Sequence, residues 1–439
     1  MRPRLTRTLL LTLLVAIGTS YYYFGLLLPR ARLRDAANHM VGCCAFGGDF
    51  YPVWLTGREL LRHGANPYTQ EMTRTIQIGL YGRVMDPSRP ADPPADFRAF
   101  AYPLYTDLLA APLLPLSFSL VRVALGILLP VLTAASLILW LRAFRLETAP
   151  GTLPIAIILL LVSYPVLEGL YALQAGLFVG AALAASAALL ARGRFTLAGM
   201  LLAFASIKPQ LIWLLALWLL LWGFSDWKRR RNFFLGFGLT LGLLVLVSQL
   251  VLPGWIAGWW RSLVGYSHYT LPPLTQLVLG KFLGMIVGLI LLVLCAGLCW
   301  KIRLFPAGSA NFSLATSFVL AVTVLLAPTG GAVYDQVVLI PALCCLSFRR
   351  AEILNASRPI RILALAVIFA LGWQWFVAFG VALASVFLKS VASTPEILVL
   401  PTRMAAPVPF AVLALLSFFV MKVLRSQADS SGVLSRSRG

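Results

Sequence analysis

Two residues of this chain have a type and setting suited to chemistry at a membrane: an acid, Asp49, and a lysine, Lys208. Asp49 precedes a stretch, 53–61, in which Val53, Trp54, Gly57, Leu60 and Leu61 recur at helical spacing, with Arg58, Glu59 and Arg62 on the other face. Pro52 in the first turn and Gly64 just after the end supply start and stop signals. A helix this short cannot cross a bilayer, so it is expected to lie along the surface and hold Asp49 near the lipid boundary. A carboxylate there can take a proton from an acceptor hydroxyl of a lipid-borne substrate. Its other reading is as a helix cap, worth about 1 kcal/mol. Lys208 falls between two apolar runs, where inserting a charge costs about 2.5–3.5 kcal/mol. It can bind the phosphate of a lipid-linked donor and stabilise the leaving group, or it can simply snorkel to the interface.

Further candidates for substrate contact surround these two. Glu168 and Gln174 flank a tight turn between apolar segments. His268 lies in Tyr266-Ser267-His268-Tyr269, in a loop that also carries Trp255, Trp259 and Trp260; an interfacial aromatic belt has the same composition. Asp335, in Tyr334-Asp335-Gln336, opens a helical run, where an acid is favoured electrostatically. Because that run is apolar, Asp335 is expected to face a polar cavity or a partner. Arg58, Tyr68, Tyr102 and Arg403 complete the set. The residues show no metal-ligand spacing, and neither a metal nor a cofactor is expected.

The elements that must position these residues follow from composition. The chain has 439 residues, is 60% hydrophobic and carries charge on only 12%, too little to cover a water-facing surface. Apolar runs of spanning length recur throughout, and the alternating pattern of a membrane barrel is absent. The fold class is therefore all-α: a polytopic integral membrane protein of about twelve transmembrane helices. The net charge of +21 does not indicate nucleic acid as a partner, since the basic residues cluster beside apolar runs, where they meet anionic lipid headgroups. The six cysteines fall as Cys43–Cys44, Cys295 with Cys299, and Cys344–Cys345; the last two pairs read as small buried residues. Arg2, Arg4 and Arg7 before an apolar stretch resemble a signal peptide without a cleavage site, so the segment is expected to remain as an anchor.

Apolar segments fall at 8–28, 119–141, 152–170, 175–191, 195–207, 209–225, 233–252, 277–300, 312–327, 332–347, 362–388 and 405–424. A shorter run, 104–116, is bounded by Pro103 and Pro115 and is expected to be re-entrant or interfacial. If each long segment crosses once, one side collects Arg142, Arg145, Arg192, Arg194, the run 228–231, Lys301, Arg303, Arg349, Arg350, Arg358, Lys422 and Arg425. That side is the cytoplasm, with both termini in it. The opposite side holds the loops 29–103 and 253–276, the Thr329-Gly330-Gly331 turn and nearly every conspicuous polar residue. The active face is expected there. The organisation is an anchor at 1–28, a first extracytoplasmic loop with amphipathic interfacial helices at 29–118, a central membrane region at 119–347, C-terminal membrane helices at 348–424 and a cytoplasmic tail at 425–439.

The motifs carry a resemblance. Asp49-Phe50-Tyr51, Gly64-Ala65-Asn66-Pro67-Tyr68 and Phe100-Ala101-Tyr102-Pro103-Leu104 look like the first extracellular loop of glycosyltransferase family 87, polyprenyl-phosphomannose-dependent enzymes of the GT-C superfamily. Gln174-Ala175-Gly176-Leu177 and Arg192-Gly193-Arg194, leading to Ile207-Lys208-Pro209, resemble its central block. Ala327-Pro328 through Tyr334-Asp335 to Leu339-Ile340-Pro341 resembles its late block. The likeness spans roughly residues 1–345. It implies that Asp49 is the loop acid and base, that Lys208 meets the donor phosphate, and that a sugar moves with inversion from a polyprenyl phosphate to an acceptor hydroxyl on a glycan or lipid-linked acceptor. The chain departs from the family in lacking a second acid two residues after Asp49, and in having Asp335 and Gln336 where the late block often has histidine. Two rival classes are a ligase or polymerase acting on lipid-linked oligosaccharides, which would share the outer-face site, and a non-enzymatic flippase or transporter of lipid-linked sugars. Transporters often show paired broken halves, and no internal repeat is visible here.

Overall fold

The computed structural model of the chain describes residues 3–37, 46–86, 88–89, 92, 97–268, 270–328 and 332–436; Arg2, Cys43, Cys44 and the 329–331 turn lie outside them. Among the described residues there is no strand. Every one of the apolar segments forms helix. Among the described residues, six helices are long and apolar enough to cross a membrane: Leu5–Leu33, Phe118–Ala143, Trp227–Val251, Lys281–Ile302, Arg358–Phe387 and Leu400–Arg425. A seventh unit is a broken pair, Thr152–Leu161 and Tyr164–Ala172, bent by 56°. The chain is thus an all-helical, polytopic membrane protein.

The break in that pair has a local cause. Pro165 sits in the first turn of Tyr164–Ala172, where it lacks an amide hydrogen and its ring opposes continuation of the preceding helix. The amide of Tyr164, freed by the break, donates to the Gln374 side chain at 2.6 Å. Lys208-Pro209 works in the same way: helix Phe195–Ala205 ends, Lys208 takes a non-helical conformation, and Pro209 opens Pro209–Phe224.

Five apolar helices are shorter: Ala175–Ala191, Phe195–Ala205, Pro209–Phe224, Ala310–Leu326 and Val333–Phe348. At 1.5 Å per residue a 17-residue helix is about 25 Å long, less than the roughly 30 Å of a hydrocarbon core. These short helices occupy the middle of the molecule. Ala310–Leu326 is buried continuously from Phe312 to Leu325. The long helices surround them and turn large apolar side chains outward, such as Leu239 at 71% exposure and Phe282 at 77%. Such surfaces belong in lipid rather than water. Small residues allow close approach inside: a Cβ on Gly199 would lie 2.2 Å from the Phe233 carbonyl, and one on Gly236 2.0 Å from that of Thr196.

The first loop folds on this scaffold. Helix Tyr51–His63 starts with Pro52 in its first turn and ends at Gly64, whose φ of +65° suits glycine. Helix Gln70–Tyr81 is capped by the Thr69 hydroxyl, which accepts from Met72 N–H at 3.2 Å. Val53, Met72, Ile76, Leu80, Tyr81, Phe100 and Leu114 make the loop's own apolar cluster. The apolar face of Tyr51–His63 packs on the protein itself through Val53, Thr56, Gly57 and Leu60, while Leu61 is exposed. The run 104–116 is a five-residue helix, Tyr105–Leu109, followed by a single 3-10 turn, Ala111–Leu113. It lies beneath that face: the Thr56 hydroxyl bonds Asp107 at 3.2 Å, and burial pushes the Asp107 carboxyl well up.

Candidate active site

Asp49 is fixed by its backbone. Gly47 N–H donates to the Tyr171 carbonyl at 2.8 Å and Asp49 N–H to that of Ala172 at 3.2 Å, tying the loop to the end of Tyr164–Ala172. The residue at the N-cap of the loop helix is Phe50, and no side chain caps that helix. The Asp49 carboxylate therefore does not serve as the cap. One of its oxygens takes the Arg98 guanidinium, and the other accepts from Gln174 Nε2 at 2.5 Å. Leu173, in a left-handed conformation at φ +52°, ends the preceding helix and presents Gln174, which is buried. Tyr102 Oη donates to Gln174 Oε1 at 3.4 Å, and Tyr68 Oη donates to the Tyr102 carbonyl at 3.0 Å. Arg98 Nε also donates to Tyr81 Oη at 3.3 Å.

A second ion pair faces the first. Lys208 Nζ lies 2.8 Å from Asp335 Oδ1. The ammonium is 5.0 Å from the centre of the Tyr334 ring. Asp335 lies in the 3-10 segment Val333–Leu339. The pair rests on Gly176, at the start of Ala175–Ala191, where a Cβ would stand 2.8 Å from Asp335 Oδ1. The positive end of that helix favours the Asp335 carboxylate.

Tyrosines join the two pairs into one cluster. Tyr102, Tyr266 and Tyr334 each feel the charges of both Asp49 and Asp335. Burial, reinforced by Asp49, holds the Tyr102 phenol well above its ordinary range, and burial raises that of Tyr266. Burial opposes the Arg98 charge most strongly, but the Asp49 carboxylate together with Tyr81, Tyr266 and Tyr334 outweighs it, leaving that guanidinium above its usual value.

The remaining candidates lie around or outside this cluster. Glu168 is within electrostatic reach of Asp49 and Arg98, but it accepts from Tyr23 Oη at 2.6 Å. Tyr68 lies behind Tyr102. Arg58 is not brought in: it donates to the Leu116 carbonyl at 3.3 Å and stacks over Trp54. His268 is exposed, with Nδ1 2.9 Å from the Val264 carbonyl; Tyr266, two residues earlier, is the residue of that loop that reaches the cluster. Arg98 and Tyr266 are additions that the sequence reading did not single out. Phe100-Ala101-Tyr102, two residues past Arg98, was the nearest signal.

Beside the cluster lies an apolar cavity of about 750 Å³. Its wall includes Gln336 and Val337, next in the chain after Asp335, both sides of the Thr152–Leu161/Tyr164–Ala172 break, and Leu371 and Trp375. Glu147, Ser347 and Arg350 also line it. Asp49 and Lys208 are not part of its lining. Among the described residues no three His, Cys, Asp or Glu side chains gather as a metal site, and Cys295, Cys299, Cys344 and Cys345 are buried free thiols.

A family model for glycosyltransferase family 87 matches residues 100–329, just over half of the chain. The chain belongs to glycosyltransferase family 87. It is a membrane glycosyltransferase, with a sugar donor and an acceptor as substrates. Of the cluster of this family 87 enzyme, Tyr102, Gln174, Lys208 and Tyr266 lie within the matched span; Asp49 and Arg98 precede it and Asp335 follows it. No curated protein and no solved structure matches the chain.

Proposed function

We propose that this enzyme transfers a hexose, mannose, from a polyprenyl-phosphate donor to a hydroxyl of a glycan or lipid-linked acceptor, with inversion. It works on the extracytoplasmic face of a bacterial plasma membrane, with both termini in the cytoplasm. The observation behind this reading is the convergence of an acid and a lysine from distant parts of the chain, Asp49 and Lys208, around shared tyrosines.

Each Asp49 oxygen accepts one donor, which leaves lone-pair capacity for an acceptor hydroxyl. In the proposed step Asp49 takes the hydroxyl proton as the acceptor oxygen bonds to the anomeric carbon. The carbon–oxygen bond to phosphate breaks, and its electron pair leaves with the polyprenyl phosphate, facing Lys208. The apolar cavity supports a lipid carrier, because its wall includes Gln336, next in the chain after Asp335, and its lining suits a prenyl chain.

The experiment is transfer of radiolabelled mannose from polyprenyl-phosphomannose to endogenous acceptors, with EDTA present, in membranes bearing wild type or Asp49→Asn. Transfer by wild type alone supports the reading. Equal transfer by both removes Asp49 as base, and transfer by neither removes the mannose donor.

A further inference from the structure

Both cations of the cluster are matched by an acid, Arg98 by Asp49 and Lys208 by Asp335, so the four groups together carry no net charge. The two pairs differ in access. The Lys208 and Asp335 side chains are each 5% exposed, whereas Arg98 is 24% exposed. Arg98 also lies within electrostatic reach of Tyr266 and of Tyr334, the tyrosine over which Lys208 stands.

Resting on the transfer proposed above, the charges must change during reaction. A phosphodiester-linked donor enters with one negative charge and leaves as a phosphate monoester with up to two. The proton released by the acceptor hydroxyl goes to Asp49, which becomes neutral. The total charge is conserved, but the partner of Arg98 has vanished at the moment the phosphate gains its extra charge.

We infer that Arg98 is a positioning residue with two successive partners: it orients Asp49 as a carboxylate, then turns its freed charge to the departing lipid phosphate. Neutralising Asp49 thereby strengthens the hold on the leaving group. The reaction couples proton uptake at one end of the guanidinium to phosphate departure at the other, with no ion entering from solvent. A guanidinium suits this exchange because its forked donors bind carboxylate and phosphate with the same geometry.

The test measures binding rather than turnover, using purified full-length protein in nanodiscs with polyprenyl phosphate and polyprenyl-phosphomannose as probes. Asp49→Asn stands in for the protonated acid. It is expected to bind polyprenyl phosphate about tenfold tighter than wild type, equivalent to about 1.4 kcal/mol, with a smaller gain for the singly charged donor. That gain should disappear in Asp49→Asn/Arg98→Gln and largely return in Asp49→Asn/Arg98→Lys. A structural role for Arg98 would weaken both lipids alike and would not produce a gain in the Asp49 variant. Unchanged or weaker polyprenyl phosphate binding by Asp49→Asn overturns the inference, as does a gain that survives loss of Arg98. Wild type that binds neither lipid overturns the donor class itself, a result distinct from either of these.

Discussion

Lys208 and Asp335 form an ion pair at 2.8 Å in the interior, although Lys208 comes from the middle of the family-matched region, Asp335 lies beyond its end, and neither lies inside a regular α-helix. Removing one partner of such a pair strands a charge and costs about 3–5 kcal/mol, whereas replacing both by apolar residues is often tolerated. Thermal unfolding of purified protein should therefore show Lys208→Met and Asp335→Leu each strongly destabilised and the double variant closer to wild type. A double variant as unstable as the sum of the singles would contradict direct coupling between the two residues.

If Lys208 meets the donor phosphate, charge matters there beyond packing. Lys208→Ala should raise the donor dissociation constant more than Lys208→Arg does, with each titrated in nanodiscs. Equal effects would assign the residue to packing alone.

Asp49→Asn keeps the side chain's shape and can still accept from Arg98 through its amide oxygen, with its NH2 in place of the oxygen that accepts from Gln174. Loss of a general base lowers turnover by about 10²–10⁴-fold. Initial rates with radiolabelled donor should fall by that factor, while expression and thermal stability stay near those of wild type.

Gly176 makes room for the ion pair, since an added Cβ would stand 2.8 Å from Asp335 Oδ1 and 3.4 Å from Lys208 Nζ. Gly176→Ala should displace the pair, lowering kcat/KM about tenfold or more and stability by about 1–3 kcal/mol. Gly199→Ala, which meets the Phe233 backbone at 2.2 Å, should destabilise the fold while leaving the rate per folded molecule close to wild type.

The loop also carries a pH-sensitive tie. The Arg83 guanidinium and the Asp86 amide hold the Asp92 carboxyl down at about 2, below its ordinary 3.8. A lowered value means that the stabilisation is present in full above the ordinary pKa and is lost as pH falls from about 4 towards 2. Asp92→Asn should thus speed proteolytic nicking of the loop at pH 7. Near pH 2, assayed with an acid protease, variant and wild type should be cut alike.

Hydropathy made all of the apolar helices legible, because spanning length and low charge are properties of local sequence. It could not say which helices are central, since lipid and protein interior are equally apolar; Ala310–Leu326 and Lys281–Ile302 read alike yet are buried and peripheral respectively. Asp49, Gln174, Lys208 and Asp335 stood out because each is a polar group in an apolar neighbourhood. Arg98 did not, for it lies in an irregular, proline-rich stretch where no period reports the direction of a side chain. The choice of His268 over Tyr266 has a geometric cause. Trp255–Ser267, read as loop, is a helix, and at near 100° per residue two positions apart point about 200° apart. Arg58 likewise sits on the face of its helix turned away from the buried one.

The arrangement of short helices inside and long ones outside has a consequence for hydrophobic mismatch. Bilayers of different thickness act on the lipid-facing helices, which can tilt to adapt at a small energetic cost. Gln174, Lys208 and Asp335 are mounted at the ends of inner helices that touch mostly protein. Changing acyl-chain length in reconstituted vesicles should therefore alter how the enzyme sits in the membrane, yet leave the spacing of these three side chains, and with it the rate of the chemical step, largely unmoved.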